Sequence, residues 1–395
     1  MRKIAILLIT VIMCSVVGCS SVQSEDLMKD RKAGNVIGVN DLTEKSTVIT
    51  DLGTKLFQEC FSEENNTLIS PVSILYAMSM VANGAKGDTL NQIETALGMS
   101  VNELNNYLYS YEKALPQGDK YKYHLANSIW FKDDDKLTVN EDFLQINADY
   151  YDAEIYKSAF DNSTLKDINN WVKNHTDKMI PEIVNEIPER AIMYLINALA
   201  FEAEWDEKYE KSQVREDTFH HPDGSEETVD FMFSDESVYL EDDNTTGFIK
   251  YYKDKSYAFA ALLPKPGVRM EDYVDSLSGE KIQALLENRV ETTVQTSIPV
   301  FETEYSKEIS EILKNLGIKD AFEIERSDFS GLGTYENMNI CISKVLHKTY
   351  ISVDEQGTKA AAVTSVQMDE GCATLAVKQF LILTKYVMNY RSAAI

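Results

Sequence analysis

The segment Asp354–Cys372, DEQGTKAAAVTSVQMDEGC, combines features of an exposed loop with those of a buried strand. Its end, Asp369-Glu370-Gly371, is typical of a solvent-exposed loop. The composition is also consistent with an Ala-rich helix or linker. Because side chains alternate along a strand, one face would carry only small or β-branched residues, namely Thr358, Ala360, Ala362, Thr364 and Val366.

The composition bounds the kind of partner that the chain can have. The 395 residues include 64 acidic and 38 basic ones, for a formal net charge of −26. Nucleic acids and anionic lipid surfaces are bound through basic patches, so this balance argues against both as partners. The length is sufficient for a large core, and no stretch has the composition of an interdomain linker.

The first eighteen residues have the features of a targeting segment. Arg2 and Lys3 precede a mostly apolar run, Ile4–Val17, that is short for a membrane span. The run ends on Gly18-Cys19 and resembles the lipobox of bacterial lipoproteins, in which Cys19 would be lipidated. We therefore expect a signal peptide over 1–18, a lipid anchor on the outer face of the cell membrane, a flexible tether over 19–40 and a folded domain over 41–395. Plain secretion is the alternative.

Periodicity predicts helices in the first half of the chain and strands in the second. Val48, Leu52, Leu56 and Cys60 form an amphipathic stripe, and Ser163–Lys178 is also predicted to be helical. We expect a short strand at Leu68-Ile69, followed by a helix with Ser70 as N-cap and Pro71 at its first position. Further strands are predicted over Leu125–Phe131, Leu195–Glu204, Tyr257–Leu263, Thr293–Val300, Ile340–Val345 and Thr349–Val353. This order indicates an α+β fold.

No motif indicates an enzyme, a metal site or a cofactor. The chain lacks the glycine-rich and metal-binding signatures of common enzyme classes. His220-His221 precedes a turn and has no acidic or Cys partner at helix or hairpin spacing, so a solvated turn is expected. Ser70 and Ser73 fit a helix start better than a nucleophile. Asp369-Glu370 is interpreted as a solvated acidic loop tip rather than an acid–base pair.

Several stretches together resemble the serpin family of protease inhibitors, in the same order along about Asp41–Gln379. The family's first strand-then-helix block is similar to Asn66–Thr89, NTLISPVSILYAMSMVANGAKGDT. The other matches are Asn169–Val172, Asn197–Phe201 with Trp205, Phe219 with Pro222-Asp223-Gly224, Leu263-Pro264 with Gly267, and His347-Lys348 followed by Val353–Thr358.

The resemblance implies three β-sheets, about eight or nine helices and an exposed reactive loop at about 355–376. It implies a suicide inhibitor: the protease forms an acyl-enzyme with the loop, and the loop then inserts into the main sheet. The family register places the scissile bond at Gly371–Cys372, or at Cys372–Ala373 after a one-residue slip. The implied hinge consists of Glu355, Gln356, Gly357, Thr358, Lys359, Ala360, Ala361 and Ala362.

The resemblance also implies a polar cluster where the sheet opens, to which Ser70, Ser73, Asn197 and His347 correspond, with Trp205 under the entry point of the loop. Two departures stand out. Val300 lies where the family has a basic partner for Glu355. The C-terminus keeps a strand-like Phe380–Leu383 but has no counterpart of the last family strand, so this chain is expected to be less stable and more prone to oligomerise than a version with a family-like end.

Three functions remain open on these residues. The small side chains of the hinge favour an inhibitor of serine proteases, and cysteine proteases are included among the targets considered. A non-inhibitory binding protein on the same scaffold, or a chain inactivated by its altered C-terminus, is the alternative, and a surface hydrolase is a third. Small residues at Gly371, Cys372 and Ala373 favour an elastase-like or subtilisin-like target. We expect a monomer that is not an enzyme and needs no cofactor.

Overall fold

The computed structural model describes residues 24–116, 118–176, 178–187, 191, 193–221, 224–336 and 339–359. The side chains of 123–126, 197–200 and 359 lie outside this description. The predictions for the signal peptide, Cys19, the hinge alanines, the scissile bond and the C-terminal strands therefore fall on residues that the structure does not describe.

Nine α-helices lie within these ranges. Four begin at a residue whose side chain accepts a hydrogen bond from a first-turn amide: Ser70, Ser100, Asp161 and Ser278. The helices are α1 (Ser46–Cys60), α2 (Pro71–Ala82), α3 (Gly87–Leu97), α4 (Val101–Ala114), α5 (Glu141–Tyr151), α6 (Asn162–His175), α7 (Met270–Asp275), α8 (Gly279–Glu287) and α9 (Ser310–Asn315).

The strands of the described residues form three sheets. They are β1 (Glu25–Asp26), β2 (Tyr121–Lys132), β3 (Leu137–Val139), β4 (Glu154–Ser158), β5 (Met193–Glu204), β6 (Val214–His220), β7 (Glu226–Glu241), β8 (Thr245–Tyr251), β9 (Ala258–Pro264), β10 (Val290–Pro299), β11 (Phe301–Glu308), β12 (Gly333–Tyr335), β13 (Lys344–Val353) and β14 (Gly357–Lys359).

The largest sheet has the order β1-β4-β2-β5-β14-β13-β11. A second sheet has the order β10-β7-β8-β9, with β6 paired to β7, and β12 pairs with β3 in the third. The α+β class and the count of helices and sheets expected from the sequence are confirmed.

Helix α2 lies at the centre of the largest apolar cluster. Every residue from Ser73 to Ala82 is buried, because the sequence SILYAMSMVA is apolar around nearly the whole helix. Its neighbours in this cluster come from α1, α4, α5 and the large sheet. The amphipathic stripe predicted for α1 is also confirmed, with Leu52, Leu56 and Cys60 buried.

The large sheet is covered on both faces, and its strands alternate accordingly. In β13, Leu346 and Tyr350 pack in the cluster beneath α6. Ile351 and Val353 of the same strand point to the opposite side, toward the second sheet. There they join what we call the aromatic cluster, formed by Phe201, Trp205, Tyr209, Tyr252, Tyr257 and Phe259.

Two strand predictions are wrong in detail. Leu68-Ile69 is not a strand, because the carbonyl of Leu68 accepts a hydrogen bond from the Thr349 hydroxyl (2.8 Å) instead of joining a ladder. The two strands predicted over Ile340–Val345 and Thr349–Val353 form a single one, β13, which begins at Lys344.

The tether expected over 19–40 is not what the structure has for residues 24–40. Glu25–Asp26 pairs with β4 as an edge strand of the large sheet. The backbone amide of Ser24 donates to Asp167 (2.8 Å), and that of Gly34 donates to Asp149 (2.7 Å). The polar groups of this segment thus bind carboxylates of the folded body rather than only water. No helix of the described residues is long and apolar enough to cross a membrane.

Candidate functional site

Strands β5 and β13 touch at one end of the large sheet and are held apart at the other by β14. Lys344–Thr349 pairs in parallel with Tyr194–Leu199. Further along β13, Thr358 pairs with Val353 on one side and with Ala203 of β5 on the other. The chain that follows Val353 therefore turns back and starts a new central strand in the widened end of the sheet.

The turn that leads into β14 is closed by Asp354. The amide of Asp354 donates to the carbonyl of Gly357 (2.9 Å). Its carboxylate Oδ1 accepts from the amides of Gln356 (2.7 Å) and Gly357 (3.1 Å), which is an Asx-turn arrangement. Asp354–Gly357 is called the hinge turn below. Three backbone amides of the hinge turn, those of Asp354, Gln356 and Gly357, thus have their partners within the turn itself.

Two main-chain amides of the neighbouring segment hold the hinge turn from outside. Trp205 donates its backbone amide to the carbonyl of Gln356, and Tyr209 donates to that of Glu355, both at 3.0 Å. The indole Nε1 of Trp205 donates to the carbonyl of Asp354 (2.9 Å). Three consecutive carbonyls of the turn are thereby bound, and a change in its path would break all three bonds together.

We call the space between β5 and β13 that β14 enters the gap, and its closed end is where these two strands pair directly. Thr358 is fully buried in the gap. Its Oγ1 lies 2.5 Å from the hydroxyl of Tyr252, which is itself 2% exposed. Our sequence analysis placed Thr358 in an exposed loop before insertion, and the structure corrects this. The Thr358 hydroxyl can be buried at this site because it has the Tyr252 hydroxyl as its hydrogen-bond partner.

A buried ion pair lies beside the aromatic cluster. The Nζ of Lys250 is 2.6 Å from Glu236 Oε1, and the two side chains are 3% and 12% exposed. The same ammonium group stands 4.4 Å from the ring centroid of Tyr209. Ser234 donates to the Glu236 carboxylate at 2.6 Å. The charge of Lys250 is thus compensated by Glu236. Through its contact with the Tyr209 ring, Lys250 also stabilises the segment that binds the hinge turn.

At the closed end of the gap, His347 joins β13 to the start of α2. Its Nε2 accepts the backbone amide of Ser70 (3.1 Å), while the Ser70 Oγ accepts that of Ser73 (3.3 Å). Burial lowers the pKa of His347 to about 3, so the ring is neutral and retains the lone pair that Ser70 requires.

Helix α6 and the segment that follows it are held against the large sheet by polar contacts. After α6, the carbonyl of Glu182 accepts from Lys348 Nζ of β13, which also pairs with Glu304 of β11, both at 2.5 Å. At its C-terminus, His175 pairs with Glu154 of β4 at 2.5 Å. Burial lowers the pKa of His175, but the Glu154 carboxylate reverses this and leaves the pKa raised overall. The segment after α6 is thereby tied to β13, and the C-terminus of α6 is tied to β4.

The structure divides the predicted opening cluster into two places. Ser70, Ser73 and His347 meet at the closed end, where Asn197 is the β5 neighbour of His347, although the Asn197 side chain lies outside the described residues. Trp205 lies at the other end, beside the hinge turn. His347 and Val353 are six residues apart on β13, or roughly 20 Å.

Two further sequence predictions concern charge partners. Val300, which stands where the family has a basic partner for Glu355, packs against the aromatic cluster. The statement that His220 and His221 lack acidic partners is wrong: they face Glu226 (3.1 Å) and Glu227 (3.4 Å) across the β6–β7 hairpin. Within the part of the chain that is described, no three His, Cys, Asp or Glu side chains are grouped for a metal.

Sequence reasoning missed three residues near the hinge turn. Tyr209 binds the turn, Tyr252 binds Thr358, and Lys250 lies over the Tyr209 ring. All three are distant from the turn in the chain, and an aromatic or a lysine in a strand-rich region carries no local signal. Asp354 did carry one, because an Asp followed two and three residues later by Gln and Gly is typical of an Asx turn.

Comparison with known proteins is consistent with this geometry. A family model described as Serpin (serine protease inhibitor) matches residues 47–382. The chain therefore belongs to the serpin family, whose members are generally protease inhibitors and not enzymes.

Two kinds of relative are similar to this chain. The native-state crystal structure of the thermophilic serpin tengpin superposes with a TM-score of 0.84 at 45% identity, covering 90% of this chain and 92% of tengpin. An uncharacterized serpin-like protein of Thermococcus kodakarensis is 30% identical over 79% of this chain and 74% of its own length. Human serpin B9 is 29% identical over 76% of this chain and 82% of its own length.

Proposed function

We propose that this protein inhibits serine proteases as a single-use substrate and that β14 is the first part of the strand formed after cleavage. The position of β14 between β5 and β13 is the observation that carries the proposal. The protease cuts the chain beyond Thr358, and the freed segment continues β14 toward the closed end of the gap.

The chemical step belongs to the protease. Its serine Oγ attacks the carbonyl carbon of the scissile peptide bond, that C–N bond breaks, and the new amino terminus leaves with the proton. An ester then links the protease to the end of the segment that starts at the hinge. If this segment enters the sheet before water hydrolyses the ester, the protease is carried along and remains bound.

Entry into the sheet is favoured by backbone hydrogen bonds, each contributing roughly 0.5–1.5 kcal/mol net. It is opposed by the loss of the direct pairing between Lys344–Thr349 and Tyr194–Leu199. The side chains that would follow Thr358 on the inward face are small or β-branched, and among Ala360, Ala362, Thr364 and Val366 only the Thr364 hydroxyl would need a hydrogen-bond partner in the interior.

The target class follows from the residues at the predicted bond. Gly371, Cys372 and Ala373 are small, and no Lys or Arg lies between Ala360 and Val377. Elastase-like and subtilisin-like serine proteases accept small side chains, whereas a trypsin-like pocket requires a basic one. Cysteine proteases of similar preference are a second group of targets.

The test is incubation with elastase, subtilisin and trypsin, followed by denaturing electrophoresis and mass spectrometry. We expect an SDS-stable complex with the first two and a released peptide beginning at Cys372 or Ala373. Cleavage outside Glu370–Thr374 would refute the assigned register, and cleavage without any complex would refute the inhibitory mechanism.

We further propose that the protein acts outside the cell, attached through a lipid on Cys19. The variant Cys19→Ala is expected to appear in the medium, whereas the unaltered chain stays with the cell envelope. Unaltered protein recovered from the medium with an unmodified N-terminus would contradict the anchor.

A further inference from the structure

We propose that the hydroxyl of Tyr252 is a positioning group that fixes the register in which the reactive loop enters the sheet, by binding Thr358. This inference rests on the proposed function and names the residue that sets the starting point of insertion. The two oxygens are 2.5 Å apart, and neither residue is more than 2% exposed.

Tyr252 is held rigidly enough to define a position. Its ring stacks on that of Trp205 with centroids 4.4 Å apart and an angle of 8° between the planes. Phe201 meets it edge-on at 5.4 Å. Its backbone amide donates to Tyr257 (3.0 Å), and its carbonyl accepts from Lys255 (2.9 Å). A hydroxyl fixed in this way can select among strand registers.

Register matters here because a slip of one residue exchanges the two faces of a strand. In the observed register, Thr358 faces the aromatic cluster, and if the strand continued beyond Lys359, alternation would place Ala360 and Ala362 next on the inward face. Neither alanine side chain can form a hydrogen bond. Thr358 is therefore the first inward side chain of the hinge able to bind the phenol, and a slip would bring Lys359 to the interior.

A packing role alone would not need the hydroxyl. If Tyr252 only filled space beside Trp205, phenylalanine would replace it without consequence for the loop. If the hydroxyl fixes the register, Tyr252→Phe leaves a buried threonine hydroxyl without its partner, and Thr358→Val leaves the phenol without its partner. The two roles thus predict different results for substitutions that preserve shape.

The first measurement is the number of inhibitor molecules consumed per protease molecule inactivated, using elastase or subtilisin. Tyr252→Phe and Thr358→Val are each expected to raise this number, roughly 2- to 10-fold for the loss of one buried hydrogen bond. The double variant is expected to be no worse than the worse single one, because both remove the same contact. Tyr257→Phe is the matched control, since Tyr257 belongs to the same aromatic cluster and its hydroxyl donates to the carbonyl of Pro116 (3.2 Å). Its consumption number should stay near that of the unaltered protein.

The second measurement is hydrogen–deuterium exchange of the peptide covering 353–359 in the protein without protease. Tyr252→Phe should speed exchange there at least several-fold, and Tyr257→Phe should not. This readout separates the positioning role of the Tyr252 hydroxyl from the proposed inhibition of proteases. If no protease forms a complex, the proposed function fails while exchange still tests the contact. Unchanged exchange in Tyr252→Phe, or additive effects in the double variant, would overturn the positioning role.

Discussion

Gly357 lies directly against Ala203 of the neighbouring strand β5. A Cβ added to Gly357 would penetrate the carbonyl oxygen of Ala203 and stand 2.8 Å from the Cα of Glu204. These atoms are backbone atoms of a central strand and cannot move aside without breaking its pairing. The absence of a side chain at this position is therefore what allows β14 to lie beside β5.

Gly357→Ala should expel β14 from the sheet and convert the inhibitor toward a substrate. Cleavage of the loop would continue, but insertion would start from outside the gap, and the yield of covalent complex should fall by at least half. The measurement is quantitative electrophoresis after reaction with subtilisin. Gly34→Ala is the control, since its added Cβ would meet only the Asp149 side chain at 3.4 Å. Equal yields for both variants would show that the close approach is unimportant.

Lys250→Met should destabilise the native protein by about 3–5 kcal/mol, because it leaves the Glu236 carboxylate buried without its ion-pair partner. The double variant Lys250→Met with Glu236→Leu should recover much of that loss. Denaturant unfolding of the three proteins measures the differences. A single variant as stable as the unaltered protein, or a double variant less stable than the single one, would contradict the ion-pair assignment.

The stability of the native state should fall with acid through His347. Its folded pKa of about 3 lies below the unfolded value of about 6.5, so the unfolded chain takes up a proton in that window and the folded chain does not. The contribution of neutral His347 to the free energy of unfolding is therefore fully present above pH 6.5. It is lost as the pH falls, with a slope of up to about 1.4 kcal/mol per pH unit.

His347→Gln should reduce this slope, because glutamine does not titrate yet can still accept the Ser70 amide through Oε1. Urea unfolding at pH 7, 5.5 and 4 compares the two proteins. Parallel stability profiles would show that His347 does not titrate on unfolding in this range.

The sequence predicted the fold because its signals were local. Ser70-Pro71 begins α2, and the helix that follows is apolar on all sides, which places it in the core. Alternation in Thr358–Val366 also predicts an inward face for the hinge, of which only Thr358 lies within the described residues. These features depend on neighbours in the chain, so no three-dimensional information was required.

The contacts of Thr358 could not be predicted in this way. Tyr252 reaches Thr358 only because two strands of the second sheet bring it under the gap, and its 106-residue separation from Thr358 leaves no trace in spacing. The burial of Thr358 was missed for the same reason. A residue in a loop-like segment reads as exposed unless the widened gap beside it is known.

The central claim is that the hinge must occupy the interior of the large sheet for the loop to insert and inhibit. Thr358→Arg tests it, since an unpaired charge in the aromatic cluster has a prohibitive desolvation cost. Gln356→Arg is the control, because it adds the same charge two residues away in the half-exposed hinge turn.

The most direct measurement is therefore the yield of SDS-stable complex with subtilisin for Thr358→Arg, Gln356→Arg and the unaltered protein. We expect Thr358→Arg to be cleaved at the same bond with almost no complex, and the other two to form complex in similar amounts. An undiminished yield of complex from Thr358→Arg would contradict insertion of the loop as the mechanism.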